Sequence, residues 1–409
     1  MAAEALAVLL RFSGPADEIL SRYFRAHRSL GRRDRAFIAE STFAVLRRRR
    51  SLEHAAGSGE PRALLLAALL RVLGLSGRAL DGVLGESDRA LVARIRAARV
   101  EDLPLAVRAD LPDWLWEALL AERGEQEAFA IAQGMFNAAP LDLRVNLART
   151  DREGALARLI EGGMAGAPTR FSPAGLRLQG KPAINRHPLY TEGLVEVQDE
   201  GSQLLAWLVA PRRGEMIADY CAGAGGKTLA LAMLMRGTGR IYAMDISAPR
   251  LAALAPRAAR AGVTNVHTIA LSGETDARAK RLAGKLDRVL VDAPCSGFGT
   301  LRRNPDFKWR QSAATVGELA AKQKRIVAAA ARLVKPGGRL VYATCSILRA
   351  ENDAVADDFL GAHADFRPLS CAELLRAQRI GLEVGERLQL WPHAHHTDGF
   401  FAAAFERSA

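Results

Sequence analysis

The sequence predicts an α/β protein. A doubly wound, mostly parallel sheet fills the C-terminal half, preceded by an all-helical domain and a small α+β module. Two observations carry the sheet. From Gln198 onward short apolar runs alternate with segments of helical period, the pattern of repeated β–α units. The runs Val289-Leu290-Val291 and Leu340-Val341-Tyr342-Ala343 are apolar at every position, as strands covered on both faces must be. A third observation points to a site. The first run leads into Asp292-Ala293-Pro294-Cys295-Ser296-Gly297 and the second into Thr344-Cys345-Ser346. Ligands of open α/β sheets bind beyond the carboxyl ends of the strands, so two neighbouring strands would bring both thiols into one crevice. A lone free cysteine is more often a small buried filler. Two of them, each at a strand end beside a polar turn, favour a shared site.

Composition sets the frame. At 409 residues the chain exceeds one ordinary core, and 49% apolar with 25% charged residues is a globular balance. The net charge of +12 and a pI of about 10.0 favour an anionic partner, nucleic acid before membrane. The longest apolar stretch, Ala63 to Leu70, is closed by Arg71, far short of the roughly 20 residues needed to span a bilayer. Glu4 interrupts an N-terminus that lacks a basic start, which argues against a secretory signal. Four cysteines without a Cys-x-x-Cys pair suggest neither a disulfide framework nor structural zinc. Working thiols in a reducing cytoplasm are expected.

The helical domain is expected over 1–135. Between Ser21 and Arg50 ten arginines face only Asp34 and Glu40, while Phe37, Ile38, Phe43, Val45 and Leu46 recur at helical spacing. Charge runs are usually solvated faces. The block Arg47–Arg50, however, has too little acid nearby for i,i+4 support, and we read this pair of amphipathic helices as RNA-facing. Further helices are expected at Arg62–Leu73, Ser87–Ala98 and Pro112–Glu122. The α+β module is expected over 136–197, with a strand at Leu141–Val145, a helix at Arg152–Glu161, and strands near Leu176–Leu178 and Leu194–Val197.

The third domain is expected over 198–409. Its helices are placed at Gly201–Val209, Lys227–Met235, Pro249–Ala261 and Val316–Val334. Its strands are placed at Met216–Asp219, Ile241–Met244, Val266–Ala270, Val289–Val291, Leu340–Ala343 and Phe400–Phe405. Between the first strand and its helix lies Cys221-Ala222-Gly223-Ala224-Gly225-Gly226-Lys227-Thr228. Glycines there allow a tight turn and close approach of a ligand to the helix N-terminus. A P-loop would need glycine where Cys221 stands. Asp245, ending the next strand about 20 residues on, can accept two ribose hydroxyls, which suits an adenosine cofactor. Its alternative is to cap the following helix.

These residues resemble the RsmB/Sun branch of RNA cytosine carbon-5 methyltransferases. The resemblance rests on Leu143-Arg144-Val145-Asn146, Val197 to Ser202, the glycine loop, Asp292 to Gly297, Lys335-Pro336-Gly337-Gly338, Thr344-Cys345-Ser346 and Glu351-Asn352, in that order. Leu30 to Phe37 is similar to the NusB-type helical domain of this branch. The resemblance implies a Rossmann-like class I methyltransferase sheet with an antiparallel C-terminal strand, and S-adenosyl-L-methionine as cofactor. It implies RNA as partner, with ribosomal RNA as leading substrate and tRNA, another RNA or DNA as alternatives. A monomer without membrane attachment is expected. A non-catalytic RNA-binding factor is the rival from another class, and intact Cys345, Cys295 and Lys227 weigh against it.

The implied chemistry explains the two thiols. A thiolate adding to carbon 6 of cytosine makes carbon 5 nucleophilic, so covalent catalysis divides one difficult step. The resemblance implies Cys345 as nucleophile and Cys295 as the residue assisting release; spacing alone leaves the reverse open. A free thiol, with pKa of roughly 8.5, needs help to ionise, and Lys227 or the cofactor's positive charge can supply it. Asp292 is expected between cofactor and base, holding the cytosine edge, or else capping its turn. Cys221, Ala222, Gly223, Ala224, Gly225, Gly226, Lys227 and Asp245 are expected to line the cofactor. The family's aspartate after the third strand is missing; Glu274 is its expected replacement, with Asp276 second. Gly223-Ala224 departs from the family's Ala-Pro. The mixed basic and aromatic loop Arg302–Trp309 could stack a splayed-out base or pack as core. His393, His395 and His396 lack the partners of a metal site, and no metal is expected.

Overall fold

A computed structural model describes residues 1–409 apart from Asp81 and Val83. The chain divides into two compact units. One comprises 1–138 with 300–313, the other 139–299 with 314–409.

The first unit is helical. Its central helix, Pro61–Arg71, has every residue from Ala63 to Leu69 buried. A helix apolar all round must be enclosed. Helices Ala2–Leu9, Arg32–Arg47, Arg49–Ala56 and Glu86–Ala97 pack on it. Helices Asp113–Arg123 and Glu125–Gly134 follow. The segment 300–313 belongs here and not to the expected third domain that surrounds it in sequence. Lys308 Nζ donates to the carbonyls of Arg47 (2.7 Å) and Asp110, and Trp309 Nε1 donates to the Leu46 carbonyl at 2.7 Å. Packing is therefore what Lys308 and Trp309 do. Trp309 is half-buried, with Arg49 and Lys308 over its ring at 5.5 and 5.0 Å.

The block Arg47–Arg50 also reads differently in three dimensions. Arg48 pairs with buried Asp110 at 2.9 Å and Arg50 with Asp113 at 2.7 Å. Arg47 Nη2 donates to the Arg302 carbonyl at 2.8 Å. Acids and carbonyls more than 60 residues away support Arg47, Arg48 and Arg50, while Arg49 has a local i,i+4 pair with Glu53 at 4.0 Å. The exposed arginines lie earlier, at Arg22, Arg25, Arg28, Arg32 and Arg33.

The second unit holds two sheets. The smaller has order β2–β3–β1–β4, antiparallel throughout, from β1 (Leu141–Val145), β2 (Gly166–Pro168), β3 (Gly175–Leu178) and β4 (Val195–Val197). Helix Arg152–Glu161, N-capped by Asp151, covers it with Leu159 against Leu143, Val145 and Leu176. Strand β2 was not expected from its glycine-rich sequence.

The larger sheet runs β10–β12–β9–β8–β5–β6–β7, with β11 against β12. Its strands are β5 (Met216–Asp219), β6 (Arg240–Asp245), β7 (Val266–Ala270), β8 (Leu286–Asp292), β9 (Val334–Thr344), β10 (Phe366–Leu369), β11 (Leu388–Leu390) and β12 (Phe400–Arg407). Pairs among β5–β9 are parallel, while β12 runs antiparallel to β9. Alternation sends Val289, Val291, Leu340 and Tyr342 into one buried layer with Phe359 and Phe405, and Leu290, Val341 and Ala343 into the other with Leu205 and Leu231. The expected helix Pro249–Ala261 is two, Ala248–Ala252 and Leu254–Ala261, because Pro256 has no N–H for the carbonyl of Ala252. Strand β9 begins six residues before the expected Leu340, taking in Lys335 to Gly338 beside a register irregularity against β8.

Candidate active site

The chain leaves β5, builds β6 and β7 on one side, and returns to β8 on the other. Strand β5 is thus the switch point where a doubly wound sheet opens a crevice. The glycine loop follows β5, the Asp292 turn follows β8, and the Cys345 turn follows β9.

The loop's shape depends on its glycines. Gly223 and Gly225 have φ of 54° and 84°. A Cβ on Gly225 would stand 2.1 Å from Leu254 Cδ1, and one on Gly223 would stand 2.6 Å from Arg250 Nη2. Asp245 closes the loop, with Oδ2 accepting from Gly223 N at 2.8 Å and Oδ1 from Ser247 N at 2.7 Å. Ser247, not Asp245, is the N-cap of the helix that follows. Asp245 therefore keeps one lone pair on each oxygen beside the loop. Buried Arg144 donates to the Gly226 carbonyl at 2.8 Å, and Arg257 to the Ala224 carbonyl. Two carbonyls of the loop are thereby braced by side chains from outside it.

Carboxylates dominate this end of the sheet. Asp219, ending β5, is fully buried; its Oδ2 accepts from Thr228 Oγ1 at 2.7 Å and its Oδ1 has no hydrogen-bond partner. Burial pushes its carboxyl up to about 7. Lys227 Nζ meets Asp292 Oδ2 at 2.7 Å. Burial opposes the Lys227 charge, yet the Asp292 pair outweighs it and raises the pKa, with Cys345 adding to the rise. The one lysine of the loop is thus already paired, with Asp219 and Asp245 close by. Such a site would repel a polyphosphate and suits a ligand with a cationic centre and hydroxyls.

Of the two residues expected near an adenine, Asp276 is committed elsewhere. It accepts from Ser272 N (2.8 Å) and Ser272 Oγ (2.9 Å), caps helix Ala277–Lys280, and pairs with Arg278 at 2.7 Å. These bonds hold its carboxyl far below the usual carboxylate range. Glu274 has a single loose ion pair, 3.8 Å from Arg325. Cys221 is packed against the core, and burial pushes its thiol up.

Strands β8 and β9 are neighbours, so the condition for a shared crevice is met. Asp292 pairs in register with Ala343, which brings the turns side by side. Cys295 Sγ and Cys345 Sγ lie 3.4 Å apart. The hydrogen bond with Cys345, then burial, then nearby Glu351 push the Cys295 thiol well up. His395, read from sequence only as no metal ligand, accepts from Trp391 N through Nδ1 at 3.0 Å.

Two features escaped the sequence reading. Asp219 looked like a strand terminus, and nothing local marks its orphaned oxygen. Glu351 was part of a family motif only, yet its buried carboxylate joins the two cysteine turns.

The sheet order, the loop at its switch point and the thiol pair beside it define a Rossmann-like methyltransferase. The sequence matches the family "16S rRNA methyltransferase RsmB/F" over residues 206–406 and the RsmF/B-like ferredoxin-like domain over 111–185. It is 37% identical to a probable ribosomal RNA small subunit methyltransferase B of Synechocystis, over 83% of this chain and 77% of that protein. The corresponding Bacillus subtilis protein is 32% identical over 80% and 73%. A methyltransferase homolog from Pyrococcus horikoshii superposes with a TM-score of 0.64 at 27% identity, covering 74% of this chain and 97% of that one. The chain belongs to the RsmB/F family of methyltransferases.

Proposed function

We propose that this protein methylates carbon 5 of a cytosine in ribosomal RNA of the small subunit, using S-adenosyl-L-methionine and a covalent adduct through Cys345. The observation that carries the reading is the 3.4 Å pair of thiols at the ends of neighbouring parallel strands, beside a carboxylate-ringed glycine loop. The small-subunit substrate rests on the family's description and the relatives' names.

The loop 221–226, Asp245 and the Asp219 oxygen would hold the cofactor, with Glu274 the candidate at the adenine. When bound it supplies an electrophilic methyl group. The orphaned Asp219 oxygen and the spare lone pairs of Asp245 fit its ammonium and hydroxyls. Asp292, anchored by Lys227, presents its remaining acceptor sites to the cytosine edge.

Cys345 attacks carbon 6. The Sγ–C6 bond forms as the C5–C6 π electrons shift toward carbon 5, which becomes the nucleophile. Lys227, kept protonated chiefly by Asp292 and in part by Cys345, places a positive charge within electrostatic reach of the attacking sulfur. Cys295, its proton held by the hydrogen bond with Cys345 and then by burial, rests as a thiol. As the C5 proton leaves to solvent, its bonding electrons restore the C5–C6 double bond and the C6–S bond breaks; from 3.4 Å the Cys295 S–H can donate to the departing Cys345 thiolate.

Replacing Cys295 by Ala should therefore trap the protein on its RNA, seen as a denaturation-resistant band that needs cofactor. Cys345→Ala should give no band. An adduct through Cys295 would reverse the roles, and no methyl on any RNA cytosine would sink the proposal.

A further inference from the structure

The two cysteine turns belong to different strands: ladder pairing between β8 and β9 ends at Asp292 and Ala343, and beyond it a backbone bond, Gly299 N to the Cys345 carbonyl at 2.8 Å, joins the turns on the far side of Cys295. That single bond does not reach the residues flanking both sulfurs, so side chains must complete their placement at 3.4 Å. Glu351, fully buried, sits where it can. Its Oε1 accepts from Ser296 N at 2.8 Å and from Gln323 Nε2 at 3.0 Å. Its Oε2 accepts from the hydroxyls of Ser296 and Ser346, the residues that follow the two cysteines. All four acceptor sites of one carboxylate are filled, and three of the donors come from the cysteine turns.

The surrounding bonds hold Glu351 in turn. Tyr342 Oη donates to the Glu351 carbonyl at 2.6 Å, and Gln323 Nε2 also reaches the Pro294 carbonyl at 3.0 Å. Neighbouring Asn352 donates to the Ser346 carbonyl at 3.0 Å and accepts from Thr344 Oγ1.

We propose that Glu351 is a positioning residue that sets the separation of Cys345 and Cys295 by clamping Ser296 and Ser346 on one carboxylate. It touches neither substrate nor cofactor and acts through the two turns. Its negative charge near Cys295 has a second effect of the same sense, favouring the thiol form there. The role of the separation in catalysis rests on the function proposed above; the clamp itself does not.

The separation can be read without RNA or cofactor. With oxidised dithiothreitol, a small cyclic disulfide, one cysteine thiolate attacks a reagent sulfur and forms a mixed disulfide. The second cysteine then displaces the reagent as its dithiol. The protein gains one S–S bond and gives up two protons and two electrons, which the reagent takes. Peptide mapping reports the Cys295–Cys345 bond. The single-thiol rate of a Cys295→Ser variant corrects for exposure.

Glu351→Ala should slow closure of that bond by about tenfold or more, since small misplacements cost near-attack geometry heavily. Glu351→Gln, with one acceptor oxygen in place of two, should fall between. In methyl transfer the loss should appear in kcat, with KM for RNA held. If Glu351→Ala does not fold, Ser296→Ala with Ser346→Ala removes the hydroxyl arms and should give the same slowing. Closure as fast as wild type in whichever of these variants folds overturns the clamp. Slowed closure in a protein whose wild type methylates no cytosine would leave the clamp standing and remove the proposed reaction.

Discussion

Cys345 and Cys295 are the same residue 3.4 Å apart, so any difference in their roles must come from their neighbours. Cys345 stands within the electrostatic reach of Lys227, and Cys295 feels the carboxylate of Glu351. Neither neighbour is adjacent in sequence. Asp219 shows the same dependence. Its carboxyl is raised by burial to about 7, against about 3.9 for an unfolded aspartate. The folded state therefore holds a proton that the unfolded state releases between those values. The stabilisation it gives is complete below pH ~4 and lost as pH rises through ~7. Asp219→Asn has no charge to bury, so its stability relative to wild type should improve from pH 5 to pH 8. Denaturant titrations at both pH values check this, and parallel curves would count against a buried, protonated Asp219. What sequence could show at this scale was residue type and spacing: the thiol pair, Lys227 and Asp245. Which oxygen is orphaned, or whether Asp276 is spent on its own cap, depends on packing that no local pattern carries.

At the scale of elements, the parallel strands were legible because both faces are apolar, and their turns because glycine and proline punctuate them. The edge strands β10 and β11 and the short β2 were not, being brief and half-polar. The segment 300–313 was the least legible. Its basic and aromatic residues resemble an RNA-binding loop, yet their partners lie some 250 residues earlier in the chain. Lys308 is the test of that packing. Burial lowers its pKa to about 7, against roughly 10.4 when unfolded. Between these values the unfolded state binds a proton that the folded state lacks, so this lysine makes stability rise with pH across that window. Lys308→Met also strands the carbonyls of Arg47 and Asp110, at about 1–3 kcal/mol. The gap between wild type and Lys308→Met should therefore widen from pH 7 to pH 9.5 in denaturant unfolding. A constant gap would show that Lys308 does not titrate as a buried amine.

The whole molecule carries a net charge of +12, but its basic residues divide by use. Arg48 and Arg50 are spent on Asp110 and Asp113, and Arg144 and Arg257 brace the glycine loop. Arg22, Arg25, Arg28, Arg32 and Arg33 are exposed on the first unit, around helices Ala16–Ala26 and Arg32–Arg47. If RNA is the partner, this second group should carry the phosphate contacts. Each phosphate neutralised adds roughly 0.7–0.9 to the slope of log affinity against log salt. Replacing Arg25, Arg28, Arg32 and Arg33 by Gln should then lower that slope by up to about 3 and weaken binding to every RNA alike, since phosphate contacts carry no sequence information. Turnover at saturating RNA should be unchanged, because these residues take no part in the cysteine chemistry. Filter binding from 50 to 300 mM salt, with a parallel turnover assay, makes the comparison. An unaltered slope would move the RNA surface elsewhere. A lost turnover at saturation would mean that these arginines also orient the target base.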